Sequence, residues 1–286
     1  MAKTDDISPA WGDWIADNLS RGCTPQSMIA AMVQAQFAPE IAAAHIASIA
    51  TILPKSEMLQ PQHNEPYHYE ASRIAPGNTI SLGDRTVNVA LRLDHPDIVL
   101  IHGFMSDEEC DTLIEQAREK LLPSTIVDPQ SGDFRKIDAR TSEGTYFQRG
   151  ENELVLRLEQ RISELMNWPM ERGEGIQVLH YRAGAEYRAH FDYFPVQDPG
   201  STSHTASGGQ RVATLVMYLN DVTEGGETVF PSIGLSVTPR RGTVAYFAYG
   251  NSLGQVDPAT LHASAPVLRG EKWIATKWMR QGQYGG

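Results

Sequence analysis

The chain has 286 residues, of which 41% are hydrophobic, which is enough to bury the core of one large domain or two modest ones. Its 24 Lys and Arg residues against 35 Asp and Glu residues give a formal net charge of −11, which disfavours binding to nucleic-acid phosphates. The two cysteines, Cys23 and Cys110, are far apart, so neither a disulfide framework nor a structural zinc site is expected.

No targeting or membrane-spanning segment is predicted. The N-terminal stretch MAKTDDISPAW lacks the basic start and apolar run of a signal peptide. The most apolar stretch, residues 28–53, is interrupted by Gln, Pro, Glu and His residues and is too polar to span a membrane. We therefore expect a cytoplasmic protein in a reducing compartment, without a membrane partner.

Residues 1–54 are predicted to form an N-terminal helical segment. Ser8-Pro9 and Thr24-Pro25 are both typical of the first residues of a helix. Such short helices bury little surface alone, so they are expected to dock on the rest of the chain or on a partner, either as a packing element or as a substrate-recognition arm. Apolar residues recur at helical spacing in three stripes: Trp11, Trp14, Ile15 and Leu19; Ile29, Met32, Val33 and Phe37; and Ile41, Ile46, Ile49 and Leu53.

Residues 55–75 are polar and contain prolines, which indicates a linker, and residues 76–286 are assigned to one domain. Two helices are predicted in its first half. The stretch from Ser106 to Glu109 is a capping box that starts the first of them, and Cys110 falls on the buried face of that helix. A core role is therefore favoured for Cys110 over a reactive thiol. The second helix is predicted from about Glu153 to Met166.

After Glu174 the chain is predicted to be almost entirely β-structure, because short β-branched and aromatic runs alternate with Gly, Pro, Asp and Asn. The fold class is therefore α+β, mainly β, with a barrel or jelly roll and helices packed outside it. Residues 196–210 have the composition of a mobile loop that could act as a lid. The predicted strands are 176–182, 187–192, 211–219, 227–230, 235–238, 243–248, 261–263 and 272–279.

The stretch AEYRAHFDYF, residues 185–194, contains a candidate metal site. Residues two apart on a strand project to the same face, so His190 and Asp192 can direct an imidazole and a carboxylate at one point. Alone, this pattern occurs often by chance in ordinary strands. His262, in PATLHASAP, could complete a group of two histidines and one carboxylate, a ligand set typical of non-haem iron(II) oxygenases.

A lysine follows in a predicted strand otherwise rich in apolar residues. In RGEKWIATKW, Lys272, Ile274, Thr276 and Trp278 fall at even spacing on one strand face. A lysine buried among apolar neighbours needs a negatively charged partner. A dicarboxylate co-substrate would supply that partner.

Four runs together resemble the prolyl 4-hydroxylase family of Fe(II)- and 2-oxoglutarate-dependent dioxygenases: RTSEGTYF, IQVLHYRAGAEYRAHFDYF, GGQRVATLVMYLNDVTEGGETVFP and HASAPVLRGEKWIATKW. The resemblance covers roughly residues 96–280 and implies a double-stranded β-helix, or jelly roll, with iron near one open end. By this resemblance His190, Asp192 and His262 bind Fe(II), and Lys272 pairs with the C5 carboxylate of 2-oxoglutarate.

The resemblance also implies roles for five further residues. Tyr181, Thr228 and Trp278 would line the 2-oxoglutarate pocket, while Tyr187 and Arg211 would lie beside the prime substrate. Without the resemblance, the aromatic residues fit an ordinary core and Thr228 an ordinary strand. Arg211 equally fits a surface salt bridge.

The activity implied is hydroxylation of a prolyl residue in a peptide or protein, proline-rich substrates included, with Fe(II), O2, 2-oxoglutarate and ascorbate as reductant, and with release of succinate and CO2. Asp192 favours hydroxylation over halogenation, because related halogenases lack this carboxylate. The same chemistry on a free amino acid or small metabolite is the alternative, and a homodimer is left open. A non-catalytic binding protein would be expected to lack a ligand or Lys272, and all four positions are filled.

Overall fold

The computed structural model describes residues 9–20, 25–52, 66–137 and 139–285. Within the first two ranges the chain forms three helices, and each begins at a proline, which suits the first helical turn because its missing N–H needs no partner there. Cys23, Leu53 and most of the predicted linker lie outside the described residues. The helices are α1 (Pro9–Ser20), α2 (Pro25–Gln34) and α3 (Pro39–Ile52).

The three helices pack around one apolar cluster, and we call these helices the helical unit. The predicted stripe of α1 is confirmed, since its four residues are all buried. The stripe predicted for α2 is wrong at Val33, which is exposed, because α2 is rotated so that Met28 and Met32 face the cluster. Apolar periodicity alone could not choose between these neighbouring faces. The buried members of the cluster from residues 9–52 are Trp11, Trp14, Ile15, Leu19, Met28, Met32, Phe37, Ala42 and Ile46.

Residues 66–75 have no strand or helix, but they are attached to the β-domain. His68 N donates to Gln255 Oε1 at 3.0 Å, and the guanidinium of Arg73 lies 3.6 Å from the centroid of the Trp168 ring. This described part of the predicted linker therefore packs on the domain surface.

Two further helices, α4 (Asp107–Arg118) and α5 (Glu153–Met166), pack outside the sheet. The predicted capping box is confirmed: Glu109 N donates to Ser106 Oγ at 3.1 Å, and Ser106 N donates to Glu109 Oε2 at 2.9 Å. Cys110 is fully buried in the core, which confirms its packing role.

The β-domain contains two antiparallel sheets. In the described residues the large sheet has nine strands in the order β1-β2-β3-β14-β10-β17-β8-β7-β4. Its outer face packs against α4 and α5, and its inner face packs against the small sheet. Its strands are β1 (Thr79–Ser81), β2 (Thr86–Asp94), β3 (Asp97–His102), β4 (Leu122–Pro123), β7 (Glu143–Phe147), β8 (Ile176–Tyr181), β10 (Arg211–Tyr218), β14 (Val244–Ala248) and β17 (Lys272–Arg280).

The small sheet has four strands in the order β13-β12-β15-β9. Facing the large sheet, it completes the double-stranded β-helix, so the predicted fold class is confirmed. Two hydrogen-bonded strand pairs extend the domain: β5 (Ile126–Val127) with β6 (Phe134–Arg135), and β11 (Glu224–Gly225) with β16 (Val267–Arg269). The strands of the small sheet are β9 (Tyr187–His190), β12 (Thr228–Phe230), β13 (Leu235–Val237) and β15 (His262–Ser264).

The eight strands predicted after Glu174 are all present, with ends within two residues of the predicted positions. The largest difference concerns β9, which ends at His190, so that Asp192 lies beyond the strand. The segment 196–210 is not simply a loop, since it contains a short helix, α6 (Ser201–Thr205). No helix in the described residues is both long and apolar enough to cross a membrane.

Candidate active site

Two histidines lie opposite each other on neighbouring strands of the small sheet. His190 is the last residue of β9 and His262 the first of β15, and the antiparallel register pairs them directly. Paired residues on antiparallel strands have Cα atoms about 4.5–5.5 Å apart, so the register alone brings the two imidazoles together.

Asp192 completes this group from just beyond the end of β9. Its Oδ1 lies 3.7 Å from His190 Nε2, and its Oδ2 lies 3.6 Å from His262 Nε2. One ligand atom from each of the three residues lies within 4.8 Å of the others. Among the described residues, no other group of His, Cys, Asp or Glu side chains forms a comparable cluster.

Backbone carbonyls orient both imidazoles. His190 Nδ1 lies 2.8 Å from Arg188 O, and His262 Nδ1 lies 3.0 Å from Thr260 O. An imidazole that donates from Nδ1 presents the lone pair of Nε2, the atom that faces Asp192 here. Burial and the neighbouring His262 lower the pKa of His190 well below its ordinary value, which favours the neutral form that a metal needs.

The large sheet holds the carboxylate in place. Thr214, on β10, donates from Oγ1 to Asp192 Oδ2 at 2.7 Å and lies 3.0 Å from the hydroxyl of Tyr249. Burial raises the pKa of Asp192, but nearby His262 and His190, the guanidinium of Arg211 and the hydrogen bond from Thr214 together hold it below its ordinary value. The carboxylate therefore stays ionised.

The chemistry of this donor set fits iron(II). Two neutral imidazoles and one carboxylate form the ligand group of non-haem Fe(II) oxygenases, which leaves other coordination positions for ligands from solution. His190, Asp192 and His262 are the residues that would hold the metal.

Thr214→Val should weaken iron binding without unfolding the protein. Valine keeps the shape of threonine but removes the donor to Asp192, and loss of such an outer hydrogen bond costs about 10- to 100-fold in metal affinity. Fe(II) titration of the two proteins measures the effect. Thr243→Val is the matched control, because Thr243 is equally buried but its hydroxyl contacts His102, outside the site. Equal iron affinity in the Thr214 variant and wild type would contradict the assigned role.

The second half of the site is built around Lys272. Its side chain is 1% exposed, and its Nζ donates to Ser264 Oγ at 2.9 Å. No carboxylate of the described residues lies within ion-pair distance of this Nζ. Burial lowers the pKa of Lys272 to about 7. A buried lysine without a paired anion is suited to receive the carboxylate of a ligand.

The registers of both sheets place Tyr181 and Thr228 near Lys272. Tyr181 is the residue paired with Lys272 on β8, and Thr228 is paired with Ser264 across β12 and β15. The hydrogen bond from Lys272 to Ser264 thus joins the two sheets at this point. The hydroxyl of Tyr218 donates to Thr228 Oγ1 at 2.8 Å. These residues fit a cradle for the distal carboxylate of 2-oxoglutarate.

One cavity of about 200 Å³ contains both halves of the site. The predicted common face of β17 is confirmed, because all four of its even-spaced residues line this cavity. Every site residue predicted from the sequence also lines it: Tyr181, Tyr187, His190, Asp192, Arg211, Thr228, His262, Lys272 and Trp278.

Tyr187 stacks on His190, one of the three residues that would hold the metal. The ring centroids of Tyr187 and His190 are 3.6 Å apart with an interplanar angle of 16°. The guanidinium of Arg140 lies 4.6 Å from the centroid of the Tyr187 ring. The stacked ring of Tyr187 restricts the orientation of His190. The contact between Tyr187 and the substrate stays a prediction.

Arg211 reaches the cavity, but a buried acid binds most of its guanidinium. Its Nε and Nη2 contact the two carboxylate oxygens of Glu174 at 2.6 and 2.8 Å. Its Nη1 donates to the backbone oxygen of Asp192 at 3.2 Å, and the guanidinium lies 3.9 Å from the Trp278 ring centroid. These contacts support a positioning role for Arg211 beside Asp192, while its predicted substrate contact stays a prediction.

Sequence reasoning missed Thr214, Ser264 and Glu174. Ser264 had a usable signal, since it follows His262 at the two-residue period of a strand. Thr214 and Glu174 had none, because each meets its partner through sheet pairing and not through sequence spacing.

Comparison with known proteins agrees with this geometry. Residues 176–280 match the 2OG-Fe(II) oxygenase superfamily. Prolyl 4-hydroxylase 5 of Arabidopsis thaliana is 38% identical over 226 residues, which cover 72% of this chain and 75% of that protein. Prolyl 4-hydroxylase 1 of the same plant is 42% identical over 201 residues, with 65% and 69% coverage.

A solved structure is also similar. It is a viral collagen prolyl hydroxylase from Paramecium Bursaria Chlorella virus-1 in a 2OG complex, with 34% identity and a TM-score of 0.51. The match covers 64% of this chain and 95% of the viral chain. The chain therefore belongs to the prolyl 4-hydroxylase family of Fe(II)- and 2-oxoglutarate-dependent dioxygenases.

Proposed function

We propose that this protein hydroxylates a prolyl residue in a peptide or protein. The observation that carries the proposal is a single cavity with a ligand group suited to iron(II), His190, Asp192 and His262, and a buried lysine, Lys272, that has no carboxylate of the described residues within ion-pair distance. When bound, Fe(II) and 2-oxoglutarate supply the oxidative decarboxylation by which O2 gives one oxygen atom to a substrate C–H bond and the other to succinate, with release of CO2.

The protein's own residues bind and orient the reactants. Lys272, with the hydroxyls of Tyr181 and Thr228, holds the distal carboxylate of 2-oxoglutarate and so sets the distance of its keto-acid end from the ligand group. Trp278 covers the same cavity, and its buried Nε1 has no hydrogen-bond partner among the described residues. The largely buried lining limits water at the reacting centre, which suppresses side reactions.

The composition of the cavity supports a peptide substrate. Aromatic side chains form much of its lining, and such grooves suit proline-rich segments because their extended helix is already ordered before binding. The names of the similar plant and viral proteins also point to prolyl substrates. The aromatic residues include Phe134, Tyr146, Tyr187, Phe191 and Phe194.

Succinate formation by the purified protein with Fe(II), 2-oxoglutarate and ascorbate tests the proposal. We propose ascorbate as the reductant that keeps iron in the Fe(II) state. A proline-rich peptide should stimulate succinate formation and gain one oxygen atom on proline by mass spectrometry, while the same peptide with alanine for every proline should do neither. If free amino acids but no peptide stimulate succinate formation, the substrate is a small molecule and the proposed peptide substrate is wrong. Light scattering on the same sample distinguishes a monomer from a homodimer.

A further inference from the structure

Helix α1 contributes side chains to the active-site cavity. Trp14 and Asn18 are one helical turn apart on α1, and both line the cavity that contains His190 and Lys272. Trp14 Nε1 lies 3.4 Å from the backbone oxygen of Ala189, the residue before the iron-ligand histidine. These residues lie outside the stretch that carries the family resemblance.

The helical unit is attached to the two strands that carry the histidines. Ala189 and Leu261 belong to its buried cluster, and Phe191 and Ala263 pack against that cluster. Each of these four residues is a direct neighbour of His190 or His262 in the chain. The helical unit therefore packs directly beside the two histidines, and Ala189, Phe191 and Ala263 line the active-site cavity as well.

Contacts at the sheet edge hold α1 in this position. β9 is the last strand of the small sheet, and its outer edge hydrogen-bonds to residues 139–141, where Arg188 N donates to Ala139 O at 2.9 Å. The guanidinium of Arg188, on β9, lies 4.3 Å from the centroid of the Trp11 ring. Trp11 and Trp14 contact each other edge to face at 5.1 Å, so the position of α1 is coupled to that of Trp14 in the cavity.

We infer that α1 forms one wall of the substrate cleft, with Trp14 and Asn18 contacting the peptide residues that flank the target proline. This inference rests on the proposed peptide substrate and assigns its recognition to two additional residues. A tryptophan offers a large, rigid surface at low entropic cost, which suits the ring of a neighbouring proline. Asn18 Nδ2 donates to the backbone oxygen of Trp14 at 2.8 Å, which orders the turn of α1 that faces the cavity, and the Asn18 side chain lines the cavity beside Trp14.

The test compares two tryptophans of the same helix. Both are buried in the helical unit, but only Trp14 lines the active-site cavity, so Trp11→Phe is the matched control for Trp14→Phe and Trp14→Ala. Each protein is assayed in full length with two peptides, in which the target proline is flanked either by prolines or by glycines. The KM values for peptide and for 2-oxoglutarate are measured separately, and circular dichroism checks folding.

Trp14→Ala should raise the KM for the proline-flanked peptide about tenfold, a typical cost of removing an anchoring tryptophan. The increase in KM should be much smaller with the glycine-flanked peptide, because that peptide has no flanking proline ring for Trp14 to contact. Trp14→Phe should lie between wild type and Trp14→Ala, and Asn18→Ala should raise the KM for both peptides. Trp11→Phe keeps an aromatic ring beside Arg188 and Trp14, and it should change the KM for the two peptides by the same factor. A purely structural role of Trp14 would not make its effect depend on the flanking residues.

The outcomes separate this inference from the proposed function. Suppose that wild type hydroxylates the peptides and that Trp14→Ala changes the KM for both peptides equally, or not at all. The inference that α1 forms a wall of the cleft is then wrong, while the proposed prolyl hydroxylation stands. If wild type hydroxylates no prolyl peptide, the proposed function fails, and the peptide-binding role of α1 is overturned with it.

Discussion

Replacing either of the two histidines that would hold iron by alanine is expected to abolish turnover. His190→Ala or His262→Ala removes one of three ligands, and the remaining imidazole and carboxylate are too few to hold Fe(II) in a fixed geometry. The loss of iron affinity should exceed the roughly 10- to 100-fold loss expected when an outer hydrogen bond, such as that from Thr214 to Asp192, is removed. Iron content by metal analysis and succinate formation should fall together.

A histidine outside the site provides the control. His102 lies on β3 and its Nδ1 contacts Thr243 Oγ1 at 2.9 Å, outside the active-site cavity. His102→Ala should keep both the iron content and the turnover of wild type. Full activity in the His190 or His262 variant would exclude these residues as ligands.

Lys272→Ala is expected to raise the KM for 2-oxoglutarate by roughly 10²-fold to several 10³-fold. Removing one partner of a buried charge pair costs about 3–5 kcal/mol, and each 1.4 kcal/mol is about tenfold in affinity. Iron binding should be retained, because Lys272 contacts Ser264 and none of the three ligands. The KM for 2-oxoglutarate measures the effect, and Lys120→Ala, at an exposed lysine paired with Glu151, is the control.

The pH dependence of 2-oxoglutarate binding gives an independent signature of Lys272. Burial lowers its pKa to about 7 in the free protein, and only the protonated amine attracts the carboxylate. Above this pH the protonated fraction falls about tenfold per pH unit, so the wild-type KM for 2-oxoglutarate should rise with pH until the pKa of the bound state is reached. The Lys272→Ala profile should lack this rise. A wild-type KM that is constant from about pH 7 to 9 would place the lysine elsewhere.

The sequence is compatible with two different roles for Arg211, and its neighbours in the fold distinguish between them. The sequence left open a substrate contact or a salt bridge, and the structure shows an ion pair with Glu174 at the cavity wall. Arg280 Nε also contacts Glu174, at 2.7 Å, so this acid joins two strands of the large sheet beneath Asp192. The network restrains the backbone that carries a ligand, whichever substrate binds.

The sequence by itself determined the family, the secondary structure of the β-domain and the main chemical groups. β-branched and aromatic runs with turn residues between them located the strands, and the capping box and apolar stripe located α4 and α5, because these signals are local. The order of HxD, distal histidine and lysine was enough to identify His190, Asp192, His262 and Lys272 as a set.

Only the tertiary structure decided how these groups meet. The pairing of His190 with His262, the hydrogen bonds from Thr214 and Lys272, and the contact of α1 with the cavity all join segments that are distant in the chain. Local periodicity shows that a face is apolar but not which surface covers it, which is why the α2 stripe was misplaced at Val33 and the role of α1 stayed open. Strand register and helix docking depend on packing of the whole domain, and that information is not carried by any single stretch of sequence.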